Sequence, residues 1–379
     1  MDKMENKKLK VLQVNKLYFP WIGGVERVVQ QIAEGLNDSC QMTVLVCQPK
    51  GKFREEKVNG VKILRAGSSG MLFSMPVSFS FPFLLRNAAK DSDIIHIHMP
   101  FPLADISSIL IDRKKKVVIW WHSDIVRQKI LKVLLKPFMH MVLKRADRIF
   151  VATPNHIESS DVLKRYRDKC TVIHFGIDLK KYELTSEMMD AKNKLRLEYP
   201  GKNILFAGRL IYYKGIQYLV DAMKNIDARL LIVGDGPLKK ELIDSAKRND
   251  ILSKIVFTGK VSEEDLLRLY HFCDLFVLPS IEKTEAFGLV QLEAMACGKP
   301  VVSTDLNTGV SYVNRNGYSG YTVRTKDPLA LEYAINKLLS DDPLRIQLGA
   351  NAKKWVFDEF SEQKMLGEVF NQYLELMSK

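Results

Sequence analysis

Short apolar runs rich in β-branched residues alternate with helix-patterned stretches along most of this chain, and the alternation happens twice. In the first half the runs are LKVLQVN (9–15), MTVLVC (42–47), VKILRA (61–66), DIIHIH (93–98), KVVIWW (116–121), RIFVA (148–152) and CTVIHF (170–175), with helical patterns between them such as 26–36 and 129–145. In the second half they are NILFAG (203–208), RLLIVG (229–234), KIVFTG (254–259), DLFVLP (274–279) and PVVST (300–304), with helices expected at 215–224, 236–249, 263–271 and 287–297. Buried strands read this way, and strands alternating with helices imply parallel sheets covered on both faces. Two such sets predict two doubly wound α/β domains. The join is expected near 175–189, giving domains of 1–180 and 181–360. The tail from 327 is helical in pattern, and its last helix, about 361–379, has no strands of its own to cover. It is expected to pack back on the first domain.

A length of 379 residues suits two cores of roughly 180 residues each. Five cysteines, an odd number with no C-x-x-C spacing, argue against a disulfide framework or a zinc site. The net charge of +13 is lopsided: residues 1–180 hold 30 Lys and Arg against 17 Asp and Glu, while residues 181–379 hold 27 of each. A basic half suggests a polyanionic partner, either nucleic acid or an anionic membrane. Aromatics interleaved on a basic strand are missing, which sets nucleic acid aside. The first residues, MDKMENKKLK, lead straight into a strand without a signal-peptide core, so a cytoplasmic location is expected.

Open α/β sheets bind ligands beyond the carboxyl ends of their strands, so the loops after each strand carry the chemistry. The strongest block is TEAFGLVQLEAMACGKPVV (284–302). Its helix is expected to open near Phe287. The amides of Ala286, Phe287, Gly288 and Leu289 would then be unpaired first-turn donors, suited to an anionic diphosphate. Glu285 is placed to accept from sugar hydroxyls, and Glu293 lies eight residues further on, a distance suited to a ribose. The plain alternative is an acid favouring the helix dipole plus a solvent-facing Glu. Arg209 and Lys214 follow another strand end and offer two cations to a diphosphate. Gly23 and Gly24 after the first strand allow close backbone approach. The G-x-G-x-x-G dinucleotide fingerprint is not met there, nor after Gly234-Asp235-Gly236.

His96 and His98 project to one side of a strand, but no third ligand accompanies them, so they read as core or cleft-lining residues. Asp91-Ser92-Asp93 precedes a strand and reads as a turn. No metal site is expected.

The E-x7-E spacing, Phe287-Gly288 after Glu285 and the helix end Ala-Cys-Gly-Lys-Pro resemble the retaining glycosyltransferases of family 4, which have the GT-B fold: two facing Rossmann-like domains with a cleft between them. The resemblance extends along nearly the whole chain. Gly208-Arg209-Leu210 with Lys214-Gly215 is similar to that family's phosphate-binding pair. Val233 to Pro237 is similar to the next strand-end turn, and Gly259-Lys260-Val261 to the loop against the base. The resemblance implies that the Gly23-Gly24 loop faces the donor diphosphate and that Glu26 shapes the acceptor side. It implies that His122, in Trp121-His122-Ser123-Asp124, stabilises positive charge at the anomeric carbon and that Asp124 meets acceptor hydroxyls. In Asn307-Thr308-Gly309-Val310, Thr308 stands where many relatives carry Gly, and no Glu follows promptly.

What the resemblance implies is transfer of a hexose, with GDP-mannose favoured over UDP-sugars as donor, to a hydroxyl of a glycan or lipid-linked saccharide in cell-surface polysaccharide assembly. No cofactor is implied. A sugar-nucleotide epimerase of the same architecture is the nearest rival, followed by a catalytically inactive GT-B partner, against which Glu285, Arg209 and Lys214 all speak. Arg127, Lys129, Lys132, Lys136, Lys144 and Arg145 punctuate an apolar helix, and MLFSMPVSFSFPFLL (71–85) is an apolar stretch with two prolines. Together they suggest contact with an anionic membrane, peripheral on the inner leaflet.

Overall fold

The computed structural model describes residues 8–21, 23–72, 75–124 and 129–378, with the side chains of 129–134 outside the description. The chain divides into two compact units, one of residues 1–174 plus 363–379 and one of residues 175–362.

The first unit carries strands β1 (Leu9–Val14), β2 (Cys40–Cys47), β3 (Arg54–Val58), β4 (Val61–Ala66), the short hairpin β5 (Met71–Leu72) and β6 (Met75–Pro76), then β7 (Ile94–Met99), β8 (Lys116–Trp121), β9 (Arg148–Val151) and β10 (Cys170–Val172). Its helices are α1 (Gly24–Gly35), α2 (Phe81–Lys90), α3 (Pro102–Ser107), α4 (Lys129–Arg145) and α5 (Pro154–Ser159). Eight strands form one sheet in the order β10-β9-β8-β7-β1-β2-β4-β3. All neighbours are parallel except β3, which runs antiparallel to β4. That edge strand departs from the all-parallel sheet expected from sequence. Its REEKV sequence has no apolar run, and charged residues suit an exposed edge.

The two faces of this sheet differ in chemistry. On one, Leu12, Val14, Ile95, Ile97, Met99, Ile119 and Trp121 join an apolar core with residues of α2, α3 and α4. Side chains alternate along a strand, so Gln13, His96, His98 and Trp120 occupy the other face, all fully buried or nearly so.

The second unit carries α6 (Ser186–Glu198), β11 (Asn203–Ala207), α7 (Ile216–Ala222), β12 (Arg229–Val233), α8 (Lys239–Arg248), β13 (Ile255–Gly259), α9 (Glu263–Phe272), β14 (Leu275–Leu278), α10 (Leu289–Ala296), β15 (Val301–Thr304), α11 (Gly309–Val313), β16 (Gly320–Val323), α12 (Pro328–Ser340) and α13 (Asp342–Glu359). Its sheet order is β13-β12-β11-β14-β15-β16, parallel throughout. Each unit is therefore a Rossmann-like doubly wound domain.

The last helix, α14 (Glu362–Met377), belongs to the first unit. Met365, Val369, Tyr373 and Leu376 form its buried stripe at helical spacing. Tyr373 reaches Gln13 and His96 on the polar face of the first sheet.

Candidate active site

In both sheets strand order reverses beside the first strand, between β1 and β7 and between β11 and β14. Doubly wound folds bind ligands at such switch points. In the second unit, the loops that leave β11 and β14 both pass this point, and they bring several of the residues singled out from sequence together.

Glycines set the spacing of these loops. Gly234 has φ +125°, and a Cβ there would lie 1.9 Å from the carbonyl oxygen of Gly208. Only glycine lets the turns after β11 and β12 approach so closely. Lys214 then comes back over the end of β11. Its ammonium lies 2.5 Å from Glu285 Oε2, with both side chains nearly buried. Burial alone would pull the lysine pKa down, but the Glu285 carboxylate outweighs it, so the pKa lies above the ordinary value and the lysine carries its charge. Ser280 donates a second hydrogen bond to the same carboxylate oxygen, at 3.0 Å. Thr308 Oγ1 donates to the Glu285 main-chain carbonyl at 3.0 Å. Glu285 is thus held from three sides. Arg209, by contrast, is exposed beside this pair.

One expectation needs correction. The helix does not open at Phe287: Gly288 caps it in the left-handed region, φ +72°, and α10 starts at Leu289. The first-turn amides therefore begin two residues later than expected, because a left-handed residue cannot continue a right-handed turn. Ala286 instead accepts from the Gly309 amide at 2.8 Å. Phe287 is buried and packs edge-on against Phe175 and Phe360, with centroids 4.9 and 6.1 Å away. Lys214 lies near Arg209 and forms half of a nearly buried ion pair.

The remaining sites spread outward. Glu293 is buried on α10 rather than solvent-facing, and it accepts from the Tyr270 hydroxyl at 2.9 Å. Lys260 and Val261 follow β13, at the sheet edge, with Lys260 exposed.

In the first unit Gly23 caps α1 in an extended conformation, followed by Gly24 as its first residue. A Cβ at Gly23 would strike the Glu26 carboxylate at 2.3 Å, so that glycine makes room for an acid folded back over the helix start. Burial raises the Glu26 pKa, against the opposing pull of its own amide and Lys16. Asp124 accepts from Ser160 at 2.8 Å. His122 directly follows β8 and is nearly buried, and its Nε2 lies 2.8 Å from His98 Nδ1. His96 and His98 are core rungs, stacked with ring centroids 4.6 Å apart. Among the described residues no group of three or more His, Cys, Asp or Glu is placed to hold a metal ion. Arg127 and the side chains of Lys129 and Lys132 lie outside the described residues.

Sequence reasoning missed Ser280 as a holder of Glu285, and Gln13 and Tyr373 as neighbours of the histidines. A signal existed for Gln13: a lone amide in the middle of an apolar strand must find a buried partner.

Two family models cover most of the chain: Glycosyltransferase Family 4 over residues 22–181 and Glycosyl transferases group 1 over residues 189–355. The chain is 31% identical to the O-antigen chain mannosyltransferase C of Escherichia coli over 372 residues, covering 97% of this chain and 99% of that protein. It belongs to the family 4 glycosyltransferases. A D-rhamnosyltransferase of Pseudomonas aeruginosa, WbpZ, is 33% identical over 91% of this chain and 90% of its own. Among solved structures, Anabaena HepE in complex with UDP superposes with a TM-score of 0.79 at 20% identity, covering 97% of this chain and 100% of that one. WaaG, a glycosyltransferase of lipopolysaccharide biosynthesis, superposes at 0.71 and 18% identity, covering 95% and 98%. These two likenesses establish the GT-B fold of this family 4 enzyme.

Proposed function

We propose that this glycosyltransferase moves a hexose of manno configuration from a GDP-linked donor to a hydroxyl of a lipid-linked saccharide during surface-polysaccharide assembly, with retention at the anomeric carbon. The observation that carries the reading is the Lys214–Glu285 pair at the β11/β14 switch point, followed a few residues later by the start of α10. Mannose and D-rhamnose, the sugars named for the two full-length relatives, differ only in the hydroxyl at C6, which supports a manno-configured donor.

The chemistry follows from the placement. Departure of a nucleoside diphosphate leaves negative charge on the pyrophosphate. Exposed Arg209 and the first amides of α10 neutralise it without reorganisation. Lys214, Ser280 and Thr308 hold Glu285 in one orientation for the sugar hydroxyls. On the same reading His122 acts on the donor sugar.

We also propose that the acceptor is met at a membrane surface. Phe79 just before α2 and Phe83 in its first turn are 84% and 66% exposed, and Ile109 after α3 is 68% exposed. These helices pack beside one another and α4, whose Lys136 and Lys144 are exposed. Among the described residues no helix is long and apolar enough to cross a membrane.

A thermal-shift screen with GDP-, UDP-, ADP- and dTDP-sugars tests the donor. A ligand at 100 times its Kd adds about 2.7 kcal/mol of stability. The expected hit is GDP-mannose. A shift with UDP-sugars alone overturns the donor, and an inverted product anomer by NMR overturns retention.

A further inference from the structure

The polar face of the first sheet holds an ordered chain of hydrogen bonds that ends on His122. Gln13 Oε1 lies 2.6 Å from His98 Nε2. An amide oxygen only accepts, so His98 carries its proton on Nε2. His98 is neutral, because burial first and His96 second hold its pKa well below the ordinary value. Its Nδ1 is therefore an acceptor, and it lies 2.8 Å from His122 Nε2. His122 must donate from Nε2. Burial, then His98 and His156, keep its ring neutral as well. Its Nδ1 is consequently the acceptor of the ring.

The amide nitrogen of Gln13 turns away from His98. It donates to the Tyr373 hydroxyl at 3.0 Å and lies 3.2 Å from His96 Nδ1, which is 2.6 Å from the same hydroxyl. With its nitrogen engaged there, the Gln13 amide keeps its oxygen toward His98. The rings are also stacked: His98 on His122 and Trp120 on His122 have interplanar angles of 20° and 11°. Stacking fixes the ring plane, and the amide fixes which nitrogen carries the proton.

We infer that Gln13 and Tyr373 are positioning residues for the transfer reaction: through His98 they hold His122 in the Nε2-protonated tautomer, with Nδ1 as its acceptor. This rests on the reading of His122 as a group that acts on the donor sugar. A merely structural polar core would need satisfied hydrogen bonds but no defined direction at His122. The two roles can therefore be separated.

The test uses the full chain labelled with 15N-histidine. Long-range 1H–15N spectra report the tautomer of each ring, with His122 assigned by His122→Gln. The wild type is expected to show His122 purely as Nε2–H across pH 6–8. Tyr373→Phe removes only the hydroxyl and leaves the ring in the α14 stripe. It is expected to give a mixed His122 tautomer and a kcat lower by at least about ten-fold, with KM for the donor within about two-fold. Gln13→Asn, one methylene shorter, is the second variant with the same expectation. A wild-type His122 protonated on Nδ1, or present as a mixture, overturns the inference even if neither variant folds. So does an unchanged spectrum and kcat in a folded Tyr373→Phe. If the tautomers behave as stated but His122→Gln transfers sugar normally, the relay stands and the assigned role of His122 fails.

Discussion

Lys214 and Glu285, 71 positions apart in sequence, form a nearly buried ion pair, Nζ to Oε2 at 2.5 Å. The two reach the switch point from different strands. The pair therefore fastens the loop after β11 to the loop after β14.

Breaking such a pair from one side leaves a buried charge without its partner, at a cost of about 3–5 kcal/mol. Lys214→Met is expected to lose about that much in urea unfolding and to lose transfer. Glu285→Gln also takes the counter-charge from Lys214 but leaves an amide oxygen to accept from its ammonium, so it is expected to lose less stability, while transfer falls by about 100-fold or more. The double variant Lys214→Met with Glu285→Leu is expected to recover stability but not activity. A double variant no more stable than Lys214→Met, or transfer at the wild-type rate in Glu285→Gln, contradicts this account.

Acid should unfold the first unit before the second. His96 is held to a pKa of about 3 and His156 to about 4, both mainly by burial, and His98 and His122 are also well depressed. In the unfolded chain these rings titrate near 6.5. Their stabilising contribution is present above that pH and is lost as pH falls toward the folded values, at about 1.4 kcal/mol per ring per pH unit. His271, depressed to about 4, lies in the second unit. Trp355 is in that unit, while Trp21, Trp120 and Trp121 are in the first. Fluorescence of a Trp355→Phe variant should therefore report an earlier acid midpoint than that of a Trp21→Phe, Trp120→Phe, Trp121→Phe variant. Coincident midpoints would count against the histidine ladder as the acid-sensitive element.

Asp105 on α3 is buried with Oδ1 unpartnered, and burial raises its pKa to about 8. Its folded value lies above its unfolded one, so stability is fully present below about pH 4 and declines as pH rises to about 8. Asp105→Asn removes the titration. It is expected to stabilise the protein at neutral pH by roughly 1–3 kcal/mol, with an advantage that grows from pH 4 to 8 and then levels off. Urea unfolding at pH 5, 7 and 8.5 checks the sign. An advantage that shrinks with pH excludes the carboxyl as its source.

Binding to anionic vesicles should need both charge and apolar contact. Flotation at low salt is expected for the wild type and lost on Phe79→Ser with Phe83→Ser. Lys136→Glu with Lys144→Glu should weaken it by about 1 kcal/mol per charge, and 0.5 M salt should weaken it further. Absence of wild-type binding at low salt ends the membrane proposal.

The alternation of β-branched runs and helical patterns made the two domains legible, because buried parallel strands are apolar along their length. Where that signature is missing, the reading failed. Arg54–Val58 is charged, and Gly320–Val323 reads GYTV, with glycine and threonine breaking the apolar run, so neither strand stood out. Glu285, Lys214 and Arg209 were visible as a set because strand-end loops concentrate chemistry. Their pairing was not, since it depends on how closely Gly215, at φ +65°, lets the loop after β11 approach the Pro279 carbonyl beyond β14. The start of α10 was misplaced for a similar reason: nothing in Phe287-Gly288 announces that the glycine turns left-handed. The histidine relay showed only its H-x-H alternation, because Tyr373 arrives from the far end of the sequence.

That late arrival bears on synthesis. Gln13 and its hydroxyl partner are separated by 360 positions, so the ribosome must translate the whole second domain before it makes the residue that completes the first one. Until then the Gln13 amide and the His96 ring lack that partner. Newly made chains should therefore gain activity in one late step, once Tyr373 is free to dock, and not domain by domain as they emerge.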